Sequence, residues 1–213
     1  MKISAVIPAY NEEKTIDEVV EILKEHSLIM ETIVVNDGST DNTAQIANRP
    51  GVKVINLAVN HGKGFAMQQG IDACQGDIIL FLDADLLGLS NKHINRLLEP
   101  LLNNSADMTV GVFISGRVVT DLAHKITPFL SGQRAIKKEL FDEIDDLNLA
   151  AYGVELAITN HVKEQGVKIK EVELKDLSHR MKEEKLGFSK GVVARLKMYW
   201  DIIKKIPSRF KIK

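Results

Sequence analysis

Apolar positions along the chain follow two alternating rhythms. Short β-branched runs, ISAVIP, ETIVVN, VKVINL, DIILFL and DMTVGV, are separated by amphipathic or turn-rich segments. From Glu12 to His26, Ile16, Val19, Val20 and Leu23 share one face of a 3.6-residue period and the charges take the other, which predicts a helix. Asn11 stands where a helix cap would. Runs that are apolar on both faces and joined by helices predict an α/β fold with a mostly parallel central sheet flanked by helices. Ligands of such sheets bind beyond the carboxyl ends of the strands. The polar clusters fall at those ends: PAYNEE after the first strand, NDGSTDNT after the second, NHGKG after the third and DAD after the fourth. Four clusters are therefore expected on one rim.

Beyond residue 115 the alternation weakens. Residues 116–142 read as loop and short helices, 153–165 as an amphipathic helix, 167–174 as a strand and 188–206 as a long helix. Length alone permits one domain or two at 213 residues. No repeat, low-complexity tract or linker composition divides the chain, so a single domain over 1–213 is expected.

Composition narrows the partners. Charged residues make up 27%, hydrophobic ones 45%, and the formal net charge is -1, the balance of an ordinary soluble protein and not of a nucleic-acid binder. Cys74 is the only cysteine, which excludes an internal disulfide, disfavours a cysteine-based zinc site and suits a reducing cytoplasm. The opening MKISAVIPAY is broken by Pro8 and reads as a strand, not a signal peptide. No apolar stretch approaches the roughly 20 residues that span a bilayer.

The stretch LFLDADLL sets Asp83 and Asp85 at the tip of an apolar strand. Two like charges so close resist burial and call for a cation or a solvated mouth. Magnesium or manganese suits two aspartates, and with open positions it also holds the phosphates of a nucleotide diphosphate. Alone, the motif is equally an accidental pair on a solvated loop. In NHGKGFAMQQGI two glycines flank Lys63 at a helix start, where backbone N–H groups and a cation suit a phosphate. The spacing is not that of a phosphate-hydrolysing P-loop. A glycine-rich helix entry with an exposed lysine fits nearly as well. VVNDGSTDNT is either a strand and its turn or a base or ribose contact through Asp37.

Taken in order, VIPAYNEE, VVNDGSTDNT, NHGKGFAMQQGI and FLDADL resemble the family 2 glycosyltransferases, enzymes of the GT-A nucleotide-diphospho-sugar transferase fold. The resemblance implies that Pro8, Ala9, Tyr10 and Glu12 line the base-binding strand end. By the same likeness Asp37 meets base or ribose and Lys63 lies near the diphosphate. Asp83, Ala84 and Asp85 form the sugar-nucleotide and metal motif, with Mg2+ or Mn2+ as cofactor. In the second half, SGRVVTDLAHKITPFLSGQRAIKKELF, YGVELAI and LSHR are similar to the glucosyl-3-phosphoglycerate synthase group and its bacterial relatives. That likeness implies a metal site of Asp85 and His179, catalytic carboxylates Asp83 and Glu155, and a phosphorylated acceptor met by Gly116, Arg117 and Thr120. Ser131, Gly132, Gln133 and Arg134 would shape the acceptor side. The chain departs from the group by an extra Val between Arg117 and Thr120 and by its shorter length. Without the resemblance, His179, Arg117 and Arg134 read as solvated surface residues and Glu155 as one more helix carboxylate.

The expected organisation is thus a nucleotide-sugar-binding half at 1–115, an acceptor-side half at 116–186 and a basic amphipathic helix and tail at 187–213. The last segment, with Tyr199, Trp200, Ile202, Ile203 and Phe210 among lysines, suits the core, a homodimer or peripheral contact with an anionic membrane. The expected activity is metal-dependent transfer of a sugar from UDP-glucose or a similar donor to a phosphorylated small molecule, in the cytoplasm or at the inner face of the membrane. A polyprenyl phosphate is the alternative acceptor. A non-catalytic nucleotide-sugar-binding protein is the alternative of another class. A nucleotidyltransferase would carry a glycine-rich signature with Arg and Lys after the first strand, where this chain has PAYNEE.

Overall fold

The structure, a computed structural model, describes residues 1–114, 131–141, 158 and 166–180. Met1–Ser178 forms one compact unit, and His179–Lys213 a second of which His179 and Arg180 are described. The first half alternates as its pattern predicts: β1 (Ile3–Ala9), α1 (Ile16–Glu25), β2 (Ile29–Asn36), α2 (Thr43–Ala47), β3 (Val52–Asn56), α3 (Lys63–Ala73), β4 (Ile78–Phe81), β5 (Leu86–Leu87), α4 (Asn91–Leu102) and β6 (Met108–Ile114). Then come β7 (Arg134–Lys137), β8 (Ile169–Lys175) and β9 (Ser178–His179). The main sheet runs β3-β2-β1-β4-β7-β6-β8, and β5 and β9 form a separate ladder. β1 is parallel to β2 and β4, β2 to β3, and β6 to β8. Among the described strands of the main sheet, β7 alone runs against its neighbours, β4 and β6.

Both faces of the sheet are covered because its strands are apolar on both. Ala5, Ile7, Val34 and Leu80 join a core with Ile16, Val19, Val20 and Leu23 of α1 and Ile94, Leu97 and Leu98 of α4. Val6, Ile33, Val35, Ile79 and Phe81 point to the other face, where Ala66, Met67 and Ile71 of α3 cover them. Helix α3 comes unusually close. A Cβ at Gly70 would collide with the Val6 side chain, so the absence of a side chain there sets the helix-to-sheet distance.

Three expectations need correction. β7 falls within 116–142, expected as loop and short helices. Its four residues, RAIK, show no recognisable period, and pairing with β4 and β6 on either side makes them a strand. Arg134, expected as a solvated charge if not an acceptor contact, is fully buried. Asn11 does not cap α1, which begins after Thr15. Instead Asn11 takes a left-handed conformation at φ 57°, which asparagine tolerates, and its Oδ1 accepts the Thr40 N–H at 2.9 Å. Of the two later helices expected, 188–206 lies outside the described residues, as does 153–165 except for Ile158, which is helical and buried.

At the end of the sheet away from the rim, Asp107 ties three strands. Its carboxylate accepts Lys137 Nζ at 2.6 Å and the Lys168 backbone N–H at 3.2 Å. The Lys137 hydrogen bond, against the opposing effect of burial, holds the Asp107 carboxyl below its ordinary value, while Asp107 raises Lys137. A depressed carboxylate stabilises the fold at pH values above its unfolded pKa and loses that contribution as pH falls through the folded one. Asp107→Asn should therefore cost about 1 kcal/mol at neutral pH. Urea unfolding of both proteins from pH 7 to pH 2.5 should show that difference shrinking toward zero at the acid end.

Candidate functional site

The rim is built by the loops leaving β1, β2, β3 and β4. The first two are stitched together: the Asp37 N–H donates to Ala9 O at 2.8 Å, and the Glu12 N–H to Thr43 Oγ1 at 2.8 Å. Asn42 donates to Glu13 Oε2 through both its backbone N–H, at 3.2 Å, and its side-chain amide, at 3.1 Å. Pro8 and Glu12 are half-buried and Ala9 is buried, while Tyr10, at 46% exposure, stands out from the rim.

Asp37 binds the third loop. Its side chain is buried, and its carboxylate accepts the backbone N–H groups of His61 and Gly62, each at 2.8 Å, and Asn60 Nδ2 at 3.0 Å. The reading of NHGKG as a set of free N–H groups for a phosphate needs revision at these two residues, because an internal carboxylate already occupies them. Gly38 makes this approach possible: its φ is +68°, and a Cβ would lie 2.5 Å from the Val59 carbonyl carbon. His61 then stacks on Phe65, with ring centroids 4.5 Å apart.

With the loop fixed, Lys63 begins α3 and reaches the strand-four cluster. Its Nζ donates to Asp83 Oδ1 at 2.6 Å. The other carboxylate oxygen, Oδ2, accepts Gln133 Nε2 at 2.9 Å. Ala84 turns into the core between the two aspartates, which leaves Asp83 and Asp85 both half-buried at the rim. β5 follows at once and pairs with β9, the strand that carries His179. Ligand atoms of Asp83, Asp85 and the exposed His179 all lie within 4.8 Å of one another. Two carboxylates and an imidazole at that spacing fit a hard divalent cation such as Mg2+ or Mn2+.

The residues expected on the acceptor side divide. Gly116, Arg117 and Thr120 lie outside the described residues, and so does Glu155. Ser131, Gly132, Gln133 and Arg134 are all buried. Gly132 and Gln133 lie against Asp83, while Ser131 Oγ donates to Gln133 Oε1 at 3.2 Å and Arg134 Nη2 to Ser131 O at 2.5 Å. Sequence reasoning missed the link from Gln133 to Asp83, because the two are 50 positions apart and nothing local marks the pair. It also missed Asn60, which only its place beside the glycine-rich loop could have suggested.

A doubly covered, mostly parallel sheet with an acidic pair and a lysine at its carboxyl rim defines an α/β protein with a candidate site for a metal and a phosphate. The chain belongs to glycosyl transferase family 2, whose profile matches residues 4–154. An uncharacterized protein of Methanocaldococcus jannaschii is 31% identical over 201 residues, which cover 83% of this chain and 82% of that one. The 4,4'-diaponeurosporenoate glycosyltransferase of Staphylococcus haemolyticus is 39% identical over 97 residues, 43% of this chain but 26% of the enzyme. Glucosyl-3-phosphoglycerate synthase of Mycobacterium tuberculosis is 30% identical over 193 residues, 73% of this chain and 59% of the enzyme. The matches thus span less than two thirds of these two enzymes. A crystal structure of that synthase with Mn2+, UDP and glucosyl-3-phosphoglycerate superposes with a TM-score of 0.70 over 92% of this chain and 78% of that one, at 30% identity. Other structures of the synthase hold Mn2+ with UDP-glucose, or Mg2+ with UDP. The fold is accordingly GT-A. Among the described residues no helix is long and apolar enough to cross a membrane.

Asp37→Ala should leave the His61 and Gly62 N–H groups without their partner and cost about 1–2 kcal/mol. Amide hydrogen exchange at these two positions should accelerate well beyond that of the α3 interior. Unchanged protection would mean that other contacts hold the loop.

Proposed function

We propose that this chain transfers a sugar from a nucleoside-diphosphate sugar, UDP-glucose or a close analogue, to a small phosphorylated acceptor. The observation that carries this reading is the cluster at the end of β4, where Asp83, already held by the Lys63 ammonium, shares a rim with Asp85 and His179. Such a cluster has the charges that a sugar diphosphate and its counter-ion need. The mycobacterial synthase supports it through the UDP-glucose, divalent metals and phosphorylated ligands in its crystals.

Asp85 and His179 would hold the divalent cation, whose positive charge stabilises the departing diphosphate when bound. Lys63 adds a second positive charge beside the same phosphates, at the start of a helix whose dipole favours anions. Asp37 keeps that lysine's loop in place from beneath and, with Pro8, Ala9, Tyr10 and Glu12, borders the place for the base. Asp83 faces the donor sugar. Glu155 completes the catalytic pair, and Gly116, Arg117 and Thr120 take the acceptor phosphate. These last four assignments rest on family likeness.

The test of turnover is incubation with labelled UDP-glucose and Mn2+ in the presence of phosphoglycerate, glycerol 3-phosphate or a polyprenyl phosphate. Label in a water-soluble anionic product is the expected result. Lipid-extractable label would move the acceptor to the membrane, and no UDP release with any acceptor would leave a binding protein. The metal assignment has its own check. In calorimetry with UDP present, Asp85→Ala and His179→Ala should each weaken Mn2+ binding about tenfold or more. Metal-free thermal unfolding of His179→Ala should match wild type, since the side chain is exposed. Equal Mn2+ affinities would remove His179 from the site.

A further inference from the structure

Ser131–Arg134 has contacts that an acceptor-side role does not explain. Gln133 has no exposed surface. Its amide is engaged at both ends: Oε1 accepts Ser131 Oγ at 3.2 Å, and Nε2 donates to Asp83 Oδ2 at 2.9 Å. The NH2 group is directed at Asp83, since a flip would set the amide oxygen against a carboxylate that can only accept, whereas the Ser131 hydroxyl could pair with either end of the amide. Lys63 holds the opposite oxygen of the same carboxylate from α3. Between them Gly132 lies so near that a Cβ would collide with both Asp83 oxygens. The carboxylate is therefore fixed in rotation by two donors from different elements and backed by a residue without a side chain.

The two donors differ in kind. An ammonium is drawn to any anion that arrives at the start of α3, so Lys63 is shared between Asp83 and an incoming diphosphate. A buried neutral amide has no such second partner of comparable strength, and it holds its oxygen without neutralising the carboxylate. We infer that Gln133 is a positioning residue for the transfer reaction, one whose amide keeps the Asp83 carboxylate plane fixed toward the donor sugar while Lys63 engages the diphosphate. This rests on the proposed function. It assigns Gln133 to the donor side of the site, acting through Asp83 and touching neither substrate. Loss of such orientation reaches the rate, because turnover is steeply sensitive to small misplacements of reacting groups.

Gln133→Met keeps the length and bulk of the side chain and removes the donor. Three readouts on the full chain decide the matter: UDP release from UDP-glucose with Mn2+ and no acceptor, calorimetric UDP affinity with Mn2+, and thermal unfolding. The expected result is a kcat about ten- to hundredfold lower, the usual scale for losing an orienting partner, with KM and UDP affinity within about twofold of wild type. A residue that only supports the fold would lower the unfolding temperature and leave kcat of the folded fraction unchanged. Ser131→Ala is the second variant and decides alone if Gln133→Met does not fold. It releases the amide oxygen and should give a smaller loss of the same kind, in kcat and not in KM. Wild-type kcat in every variant that folds overturns the inference, as does a loss that appears equally in UDP affinity. A wild-type chain that does not release UDP from UDP-glucose, alone or with a phosphorylated acceptor, refutes the proposed function itself, and this inference with it. That result is distinct from an active wild type with indifferent variants.

Discussion

Two carboxylates at the tip of a central, fully buried strand are the constraint on which this site depends. β4 is only four residues long and apolar throughout, and Asp83 and Asp85 follow it half-buried at the rim. Their charge has to be met locally. One answer is within the chain, the Lys63 ammonium on Asp83 with the Gln133 amide on its other oxygen. The other, on the proposed function, is a divalent cation, for which Asp85 and His179 would supply ligands. An arrangement that needs positive charge at rest is one that binds a metal diphosphate readily, so the electrostatic demand of the fold and that of the proposed reaction coincide.

The rest of the rim brings Lys63 to its place. Asp37 acts as an internal anion for the loop before α3, taking backbone N–H groups that the sequence alone leaves open to a phosphate. Gly38 and Gly70 allow two close approaches, of the second loop to the third and of α3 to β1. A chain of contacts thus runs from the β1–β2 stitching through Asp37 to the lysine, and from the lysine to Asp83.

The first half was legible because its signals are local. β-Branched runs bounded by turn residues gave β1 to β4 and β6, and the stripe of Ile16, Val19, Val20 and Leu23 gave α1 with its buried face. The four polar clusters were legible for the same reason, since parallel topology sends every strand end of one sense to one rim. β7 was not, because RAIK acquires its strand from neighbours on both sides and has no period of its own. Without the family likeness Arg134 reads as a surface charge because its burial comes from strands far along the chain, Phe81 of β4 and Val110 of β6 pairing on either side of it. Asn11 was read as a cap from its position before a helical stripe, whereas the true helix start is four residues later and Asn11 serves the neighbouring loop.

The central claim is that a divalent metal binds with nucleotide at the carboxyl rim beside β4 and nowhere else in this unit. Paramagnetic broadening of backbone amide signals by substoichiometric Mn2+ in the presence of UDP locates it directly. The strongest losses should fall at residues 83–86 and decline through 61–64 and 36–38. Lys2, Asp77 and Lys138 should keep their signals, because they mark the other end of β1, about 20 Å away along a seven-residue strand. Broadening centred on that far end, or spread evenly over the chain, would contradict the account.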